Sequence, residues 1–127
     1  MITVKEVEEI HKTLIDSFGG AHGIRDFAAL DSALARPFQT FDGKELLPTP
    51  IQKVAALIES ILINHPFIDG NKRTGYVLMR LLLMRYNLDI NASQTEKYDF
   101  VISIASGHQN FENIIAWLNK HVVQNSA

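Results

Sequence analysis

Apolar and polar positions alternate with helical spacing over most of this chain. The first apolar repeat comprises Val7, Ile10, Leu14 and Phe18. Thr3 and Glu6 precede it in the Thr-x-x-Glu pattern of a capping box, in which each side chain bonds to a free N–H of the helix start. We therefore predict a first helix from Thr3 to the Gly19-Gly20 pair, because glycine readily adopts the left-handed conformation that ends helices.

The next segment predicts a short helix followed by an extended flap. Asp26 can cap a second helix, whose apolar positions are Phe27, Leu30, Ala33 and Leu34. Pro37 ends this helix, because proline disfavours the helical conformation in the residue before it. Residues 38–48 show no helical repeat, and Asp42-Gly43 is a typical turn pair. We therefore predict that residues 38–48 form an extended flap or hairpin.

The rest of the chain predicts four more helices. Thr49-Pro50 starts a strongly apolar third helix that should be buried on most sides and end near Asn64. A fourth helix is predicted over residues 71–86. A second capping box, Ser93 with Glu96, opens a fifth helix that should end at Gly107, and Asn110 caps a sixth. The predicted fold is therefore all-α: one domain over residues 1–127, a compact bundle of about six helices with a short extended flap.

Composition restricts the class of protein without identifying it. The chain has 127 residues, no cysteine and a net charge of −2. The absence of cysteine excludes disulfide scaffolds and cysteine-based zinc sites, and it suits a cytoplasmic protein. No apolar run approaches the ~20 residues that a membrane span requires. We therefore expect no membrane contact, and the near-neutral charge gives no reason to expect direct nucleic-acid binding.

The candidate chemistry lies in residues 65–75, His-Pro-Phe-Ile-Asp-Gly-Asn-Lys-Arg-Thr-Gly, between the third and fourth predicted helices. A helix N-terminus has free N–H groups and a partial positive charge, so it binds anions readily. Gly70 allows a sharp turn, and Asn71 adds an amide donor. Lys72 and Arg73 add positive charge, and a guanidinium can bond to two phosphate oxygens at once. These features predict a phosphate-binding site.

Three more residues of the segment extend this prediction. The Asp69 carboxylate suits Mg²⁺, which takes one or two protein oxygens together with phosphate oxygens. An imidazole can accept a proton from an attacking hydroxyl, so His65 is the candidate base. Phe67 is expected to point into the core and anchor the loop. A simpler alternative stays open, in which Asp69 only forms the turn and the neighbouring cations are solvated. The whole set favours phosphoryl or nucleotidyl transfer.

The segment resembles the signature of the Fic/Doc superfamily, His-x-Phe-x-Asp/Glu-Gly-Asn-Gly/Lys-Arg. Lys72 stands where most Fic proteins have glycine, so the closer resemblance is to the death-on-curing (Doc) branch, the toxins of toxin–antitoxin modules. The similarity extends to the Gly19-Gly20 pair and to residues 23–26 and 30–37, and so covers nearly the whole chain. It implies a small helical bundle that uses ATP and Mg²⁺ to modify a hydroxyl of a protein substrate.

Site roles carry over by position within this resemblance. It implies that His65 is the base, that Asp69 is the Mg²⁺ ligand, and that Arg73 holds phosphate; these three form the catalytic set. The implied cofactor-binding set is Phe67, Gly70, Asn71, Lys72 and Arg73. Residues 38–48 fall where the family has a flap that aligns the target, and Phe38 and Phe41 are its candidate target-binding residues. The Doc type member phosphorylates a translation elongation factor, so the implied substrate is a translation factor such as elongation factor Tu.

Two positions bear on the reaction type. AMP-transferring Fic proteins usually have a second arginine three residues after Arg73, where this chain has Tyr76, and Lys72 replaces the glycine of their anion hole. Both differences alter the charge and the room around the phosphates, and with them the direction in which ATP would lie. We favour phosphorylation, with AMP transfer to a protein hydroxyl as the alternative. A weakly catalytic module that mainly binds an antitoxin is a further alternative.

The expected mode of control follows from a motif that this chain lacks. Many Fic proteins carry an inhibitory Ser/Thr-x-x-x-Glu-Gly/Asn helix. Here Glu112-Asn113 has His108 in the Ser/Thr position. Inhibition is therefore expected from an antitoxin that binds in trans through a short segment. His11, His22, His108 and His121 lack metal-ligand spacing and are predicted at the surface or in loops.

Overall fold

A computed structural model describes residues 1–125 of the chain. The described part contains six α-helices and two small two-stranded sheets. The helices are α1 (Val4–Phe18), α2 (Phe27–Ala35), α3 (Pro50–Asn64), α4 (Asn71–Arg85), α5 (Gln94–Ala105) and α6 (Phe111–His121). The prediction of a compact, mostly helical fold with six helices is confirmed.

Helix starts coincide with the capping residues identified in the sequence. In three helices the cap side chain and the third helical residue each bond to the other's backbone N–H: Thr3 with Glu6, Thr49 with Gln52, and Ser93 with Glu96. The side chains of Asp26 and Asn110 cap α2 and α6 in the same way, without the reciprocal bond. Each such cap stabilises its helix by about 0.5–2 kcal/mol, which explains why local sequence fixes these boundaries.

Helix α3 is the centre of the molecule, as predicted. Nine of its fifteen residues are buried, and it packs against α2, α4, α5 and α6. Its closest neighbour is α4, where Gly75 allows a tight approach: a Cβ at that position would lie 3.1 Å from Cδ2 of Leu62. The two helices that flank residues 65–70 are therefore firmly packed against each other.

The buried face of α1 differs from the predicted one. Val7 is buried, but Phe18 is 64% exposed, and the face that enters the core consists of Val7, His11 and Ile15. The prediction that His11 lies at the surface is therefore wrong. His121 is also buried, with its ring stacked on Trp117. Each histidine is spaced three or four residues from buried apolar residues of an amphipathic helix. This spacing indicates burial, whereas the polar character of histidine had suggested the surface.

The predicted flap is confirmed as a short hairpin of β1 (Thr40–Phe41) and β2 (Lys44–Glu45). Its turn residues, Asp42 and Gly43, have φ of 52° and 76°. Positive φ at both positions matches the twist of a two-residue hairpin, and Asp-Gly tolerates it. A 3₁₀ turn over Arg36–Phe38 precedes the hairpin.

A second sheet, which the sequence did not predict, pairs β3 (Leu88–Ile90) with β4 (Val122–Gln124) in antiparallel orientation. The two strands have three residues each, and they lie before α5 and after α6. No local sequence pattern therefore predicts their pairing. The pairing fastens the end of the described chain to the segment that follows α4. No helix within residues 1–125 has the length and apolar character needed to cross a membrane.

Candidate active site

The connection between α3 and α4 is a tight loop bounded by two left-handed residues. His65, directly after α3, has φ 46° and ψ 62°, and Gly70, directly before α4, has φ 74°. The first helical hydrogen bond of α4 runs from the Thr74 N–H to the Gly70 carbonyl, at 2.9 Å. The three N–H groups before it lie at the open helix end, where a positive partial charge accumulates.

A cleft of about 300 Å³ opens at this helix end. Its lining combines the predicted base, carboxylate, glycine turn and cations: His65, Ile68, Asp69, Gly70, Asn71, Lys72 and Arg73. His65, Asp69, Lys72 and Arg73 are exposed to solvent. The structure thus brings the predicted catalytic residues together around one helix N-terminus, whereas Phe67 does not line the cleft.

Phe67 anchors the loop in the core, as predicted. Its side chain is 1% exposed and stacks on the ring of His11, with the ring centroids 4.0 Å apart. The His11 ring in turn donates from Nε2 to the carbonyl of Asp69 at 2.8 Å, because a carbonyl oxygen only accepts. The ring of Phe67 therefore has no surface for a cofactor, which corrects its place in the cofactor-binding set. His11 is a supporting residue of the loop that the sequence analysis missed.

The Asn71 side chain stabilises the loop as well. Its Oδ1 accepts from the Phe67 N–H and its Nδ2 donates to the Phe67 carbonyl, both at 2.9 Å. This pair of bonds closes the turn across four residues and uses the amide that the sequence had suggested as a ligand donor. The backbone N–H of Asn71 stays at the open end of α4, so its contribution to anion binding comes from the main chain.

Two backbone groups hold the carboxylate of Asp69. Oδ2 accepts from the Ala21 N–H at 3.1 Å, and Oδ1 accepts from the Gly70 N–H at 2.8 Å. These bonds, first from Ala21 and then from Gly70, hold the pKa of Asp69 below its ordinary value of 3.8, and the charges of His11 and Lys72 add to the effect. The carboxylate is thus ionised at neutral pH.

The surroundings of Asp69 fit one type of metal site. Residues 1–125 contain no cluster of three or more His, Cys, Asp or Glu side chains that could enclose a metal ion. Mg²⁺ does not need such a cluster, because it commonly binds one or two carboxylates and completes its shell with water and substrate phosphate. Each oxygen of Asp69 accepts one protein hydrogen bond and keeps a lone pair, so Asp69 is the residue that could hold the ion.

The lowered pKa of Asp69 predicts how stability depends on pH. A carboxyl group with a lower pKa in the folded state stabilises the fold above its unfolded pKa, and this contribution is lost as pH falls through the folded value. Between about pH 6 and about pH 3 the parent should lose more unfolding free energy than Asp69→Asn does, as measured by urea denaturation. Asp99→Asn, a substitution at an exposed position on α5, is the control, and it should lose as much unfolding free energy as the parent does. If the unfolding free energies of the parent and of Asp69→Asn fell by the same amount over this pH range, the prediction would be contradicted.

The α1–α2 loop, residues 19–26, lies against residues 64–69 and fixes their backbone. Main-chain bonds join the two segments: Ile68 N–H to the Gly23 carbonyl at 3.1 Å, and the N–H groups of Arg25 and Asp26 to the Pro66 carbonyl at 2.7 and 3.0 Å. Gly20 is required for the close approach, because a Cβ there would lie 2.7 Å from Oδ2 of Asp69. The Arg25 side chain adds bonds from Nε to the His65 carbonyl and from Nη2 to the Asn64 carbonyl, at 2.7 and 2.5 Å.

The cations of the segment differ in their surroundings. The Arg73 guanidinium lies over the ring of Phe18, 4.2 Å from its centroid. A guanidinium over the face of a ring can still donate from its N–H edges to phosphate oxygens. Arg80, further along α4, makes two bonds to the carboxylate of Asp89 at 3.0 and 2.7 Å. Arg80 is therefore engaged in an ion pair with Asp89, and Arg73 is the remaining candidate for binding phosphate on this helix face.

A larger cleft of about 700 Å³ continues from Lys72 and Arg73 between α4 and α5. Apolar and aromatic side chains form much of its wall, namely Tyr76, Val77, Tyr98, Val101 and Ile102, with Gln94, Lys97 and Arg80 also lining it. Its size is within the range of small-molecule sites in proteins. The two clefts share Lys72 and Arg73, so a long ligand could extend from one into the other.

The two candidate target-binding residues have different environments. Phe41 lies on the hairpin and is 74% exposed. Phe38 belongs to the 3₁₀ turn and packs against the core, with Nζ of Lys53 5.5 Å from its ring centroid. The same Lys53 donates to the carboxylate of Glu45 and so ties the hairpin to α3. Phe41 has the exposed surface that target binding requires, whereas the partly buried position of Phe38 indicates a structural role.

Comparison with known proteins gives two matches that agree with this geometry. The model of the Fic/DOC family matches residues 1–83. Toxin Doc of Mycolicibacterium smegmatis is 45% identical over 60 residues, which are 47% of this chain and 46% of that protein. The aligned region thus spans about half the length of that curated relative. Because the family model covers most of the chain and includes the whole 65–75 segment, the chain belongs to the Fic/DOC family.

Proposed function

We propose that this protein is a Doc-type toxin of a toxin–antitoxin module, which uses ATP and Mg²⁺ to phosphorylate a hydroxyl group on a protein target in the cytoplasm. The observation that carries the proposal is the cleft at the start of α4, where His65, Asp69, Lys72 and Arg73 meet. The resemblance to Toxin Doc supports the toxin class. A translation factor, such as elongation factor Tu, is the proposed target, since a growth-arresting toxin needs an essential one.

In this mechanism His65 accepts the proton of the target hydroxyl as the oxygen attacks phosphorus. Its ring is exposed at the cleft, so an incoming side chain can reach it. The N–H groups that open α4, together with Lys72 and Arg73, hold the phosphate oxygens and stabilise the charge that develops on them. Asp69 would hold Mg²⁺, which would supply positive charge to offset the negative charge of the phosphate groups.

The α4–α5 cleft supports phosphorylation over AMP transfer. The 300 Å³ cleft at His65 is at the lower limit for a ligand pocket, and the adjoining 700 Å³ cleft has the aromatic and apolar wall that a nucleoside needs. A nucleoside bound beside Tyr76 and Tyr98 would leave its triphosphate along Lys72 and Arg73, with the terminal phosphate nearest His65. Attack at the terminal phosphate forms a bond from the target oxygen to phosphorus, breaks the bond between the γ-phosphorus and the oxygen that bridges it to the β-phosphate, and so yields a phosphoprotein and ADP. The reverse orientation, with the α-phosphate nearest His65, would yield AMP transfer.

Labelled ATP distinguishes the two reactions. The purified protein is incubated with Mg²⁺ and a cell lysate, once with ATP labelled at the γ-phosphate and once at the α-phosphate. We expect a labelled protein band only with γ-labelled ATP. A band with α-labelled ATP would establish AMP transfer in its place, and no band with either, from folded protein free of antitoxin, would contradict both. Purified elongation factor Tu in place of the lysate tests the narrower proposal about the target.

Control of the activity is proposed to come from a separate antitoxin. The sequence lacks the in-chain inhibitory motif, because His108 occupies its Ser/Thr position. An antitoxin segment that folds over the cleft would exclude both ATP and the target hydroxyl. Addition of the antitoxin should then abolish labelling without altering the toxin covalently, and its removal by denaturation and refolding should restore labelling.

A further inference from the structure

We propose that Arg25 is a positioning residue of the transfer site, which holds His65 in the conformation from which its imidazole accepts the proton. This inference rests on the proposed function for its kinetic part. Arg25 lies in the α1–α2 loop, 40 positions before His65, and belongs to none of the residue sets assigned to the site above. Its role follows from the bonds that it makes to the backbone at the end of α3.

Arg25 bonds to three successive carbonyl groups. Its Nη2 donates to Asn64, its Nε donates to His65, and its own backbone N–H donates to Pro66, at 2.5, 2.7 and 2.7 Å. The last carbonyls of a helix have no helical N–H to accept from, and they carry a negative partial charge. A guanidinium at this end satisfies two of them at once, because its donors lie in a rigid fork.

The backbone of His65 is in a conformation that needs such support. Its φ of 46° and ψ of 62° are left-handed, which is unfavourable for a residue with a Cβ. Such conformations persist only where contacts with the surrounding structure stabilise them, and they are found most often at functional sites. A change of ψ at His65 would swing its carbonyl away from Arg25 and break the Nε bond. Arg25 therefore couples the direction of the carbonyl to the direction of the imidazole.

The consequence for the reaction is specific. The bonds of Arg25 go to residues 64–66, and within residues 1–125 no hydrogen bond or ion pair joins it to Lys72 or Arg73, the proposed phosphate-binding cations, so ATP should bind equally well without it. Only the fraction of time that the His65 ring spends in a productive position should fall. A base that is misplaced by about 1 Å can cost about a hundred-fold in rate. Loss of Arg25 should therefore lower kcat and leave KM for ATP nearly unchanged.

Arg36 offers a matched control. It also binds α3 through its guanidinium, with Nη1 donating to Glu59 and Ser60 at 2.9 and 3.0 Å. These contacts lie in the C-terminal half of α3, more than one helical turn before His65. Arg25→Ala should reduce kcat by about 10–100-fold with KM for ATP within about two-fold of the parent. Arg36→Ala should leave both values unchanged, and Arg25→Lys, which keeps the charge without the fork, should fall between. An equal fall in kcat for the two alanine variants would overturn the proposal.

A double-mutant cycle separates positioning from a general loss of fold. If Arg25 acts through His65, then Arg25→Ala should have no further effect on the residual transfer rate of a His65→Ala protein. If the two effects multiply, Arg25 acts by another route and the proposal fails. The measurement compares initial rates of γ-label transfer for the parent, the two single variants and the double variant, at saturating ATP.

A structural readout keeps the proposal testable when the parent transfers no label, a result that would count against the proposed function alone. Amide hydrogen exchange at residues 64, 65, 67 and 68 should be faster in Arg25→Ala than in the parent, while the same amides in Arg36→Ala should exchange at the parent rate. Unchanged exchange at these residues in Arg25→Ala would show that the loop does not depend on Arg25, and would overturn the proposal whatever the activity.

Discussion

Replacement of His65 by alanine is expected to reduce transfer of the γ-phosphate by about 10²–10⁴-fold, the usual contribution of a general base. The fold should be nearly unaffected, because the His65 side chain is exposed and its ring forms no hydrogen bond within residues 1–125. Expression of the parent should arrest growth, and expression of His65→Ala should not. The rate is measured with labelled ATP, and the unfolding free energy by urea denaturation.

His108→Ala is the matched control for this prediction. His108 is also exposed, follows α5, and lies outside both clefts. Its replacement should change neither the transfer rate nor the growth arrest. A His65→Ala protein that transfers phosphate at the parent rate would remove the imidazole from the mechanism. One that arrests growth without transferring phosphate would favour the antitoxin-binding module over the enzyme.

The second large effect is expected on stability, from replacement of Phe67 by alanine. Phe67 is buried in the main core and stacked on His11, so removal of its ring leaves a cavity that the surrounding helices can only partly fill. Such substitutions cost about 3–5 kcal/mol, a large part of the ~5–15 kcal/mol that stabilises a typical domain. Urea denaturation followed by the fluorescence of Trp117, the single tryptophan, measures the loss.

Phe41→Ala provides the comparison, because the same side chain is removed from an exposed hairpin. It should change the unfolding free energy by less than about 0.5 kcal/mol, as surface substitutions usually do. If Phe67→Ala were as small in effect as Phe41→Ala, the loop would not be anchored by the core. Phe41→Ala also tests the flap: a higher KM for the protein target at an unchanged KM for ATP is the result expected of a target-binding residue.

The helical framework was predictable because its signals are local. Capping boxes, the prolines and the glycines act within one turn of the residue that carries them, so the ends of α1, α3 and α5 follow from short stretches of sequence. The Asp42-Gly43 turn is equally local. The pairing of β3 with β4 was not predictable, since it joins residues more than thirty positions apart through strands too short to show a pattern.

For the site, the sequence predicted which residues take part. It did not predict which of them line the cleft and which support the loop. The segment identified His65, Asp69, Lys72 and Arg73, which the structure places around one cleft. It could not indicate that the Asn71 amide is used to close the turn, nor that a ring on α1 supports the loop from the core. Those facts depend on contacts between distant segments. A closer reading of His11, at core spacing between Val7 and Ile15, would have indicated its burial.

The bonds between residues 19–26 and the loop that carries His65 are mostly made by main-chain atoms. Such bonds depend on backbone shape and hardly on which side chains are present, apart from the glycines, Arg25 and the Asp69 carboxylate that accepts from Ala21. Exposed positions such as Ala21 and His22 can therefore change through evolution without disturbing the loop that carries His65. Relatives in the Fic/DOC family can thus differ in the surface around the cleft, and so in the proteins that they contact, while the backbone of the loop that carries His65 stays the same.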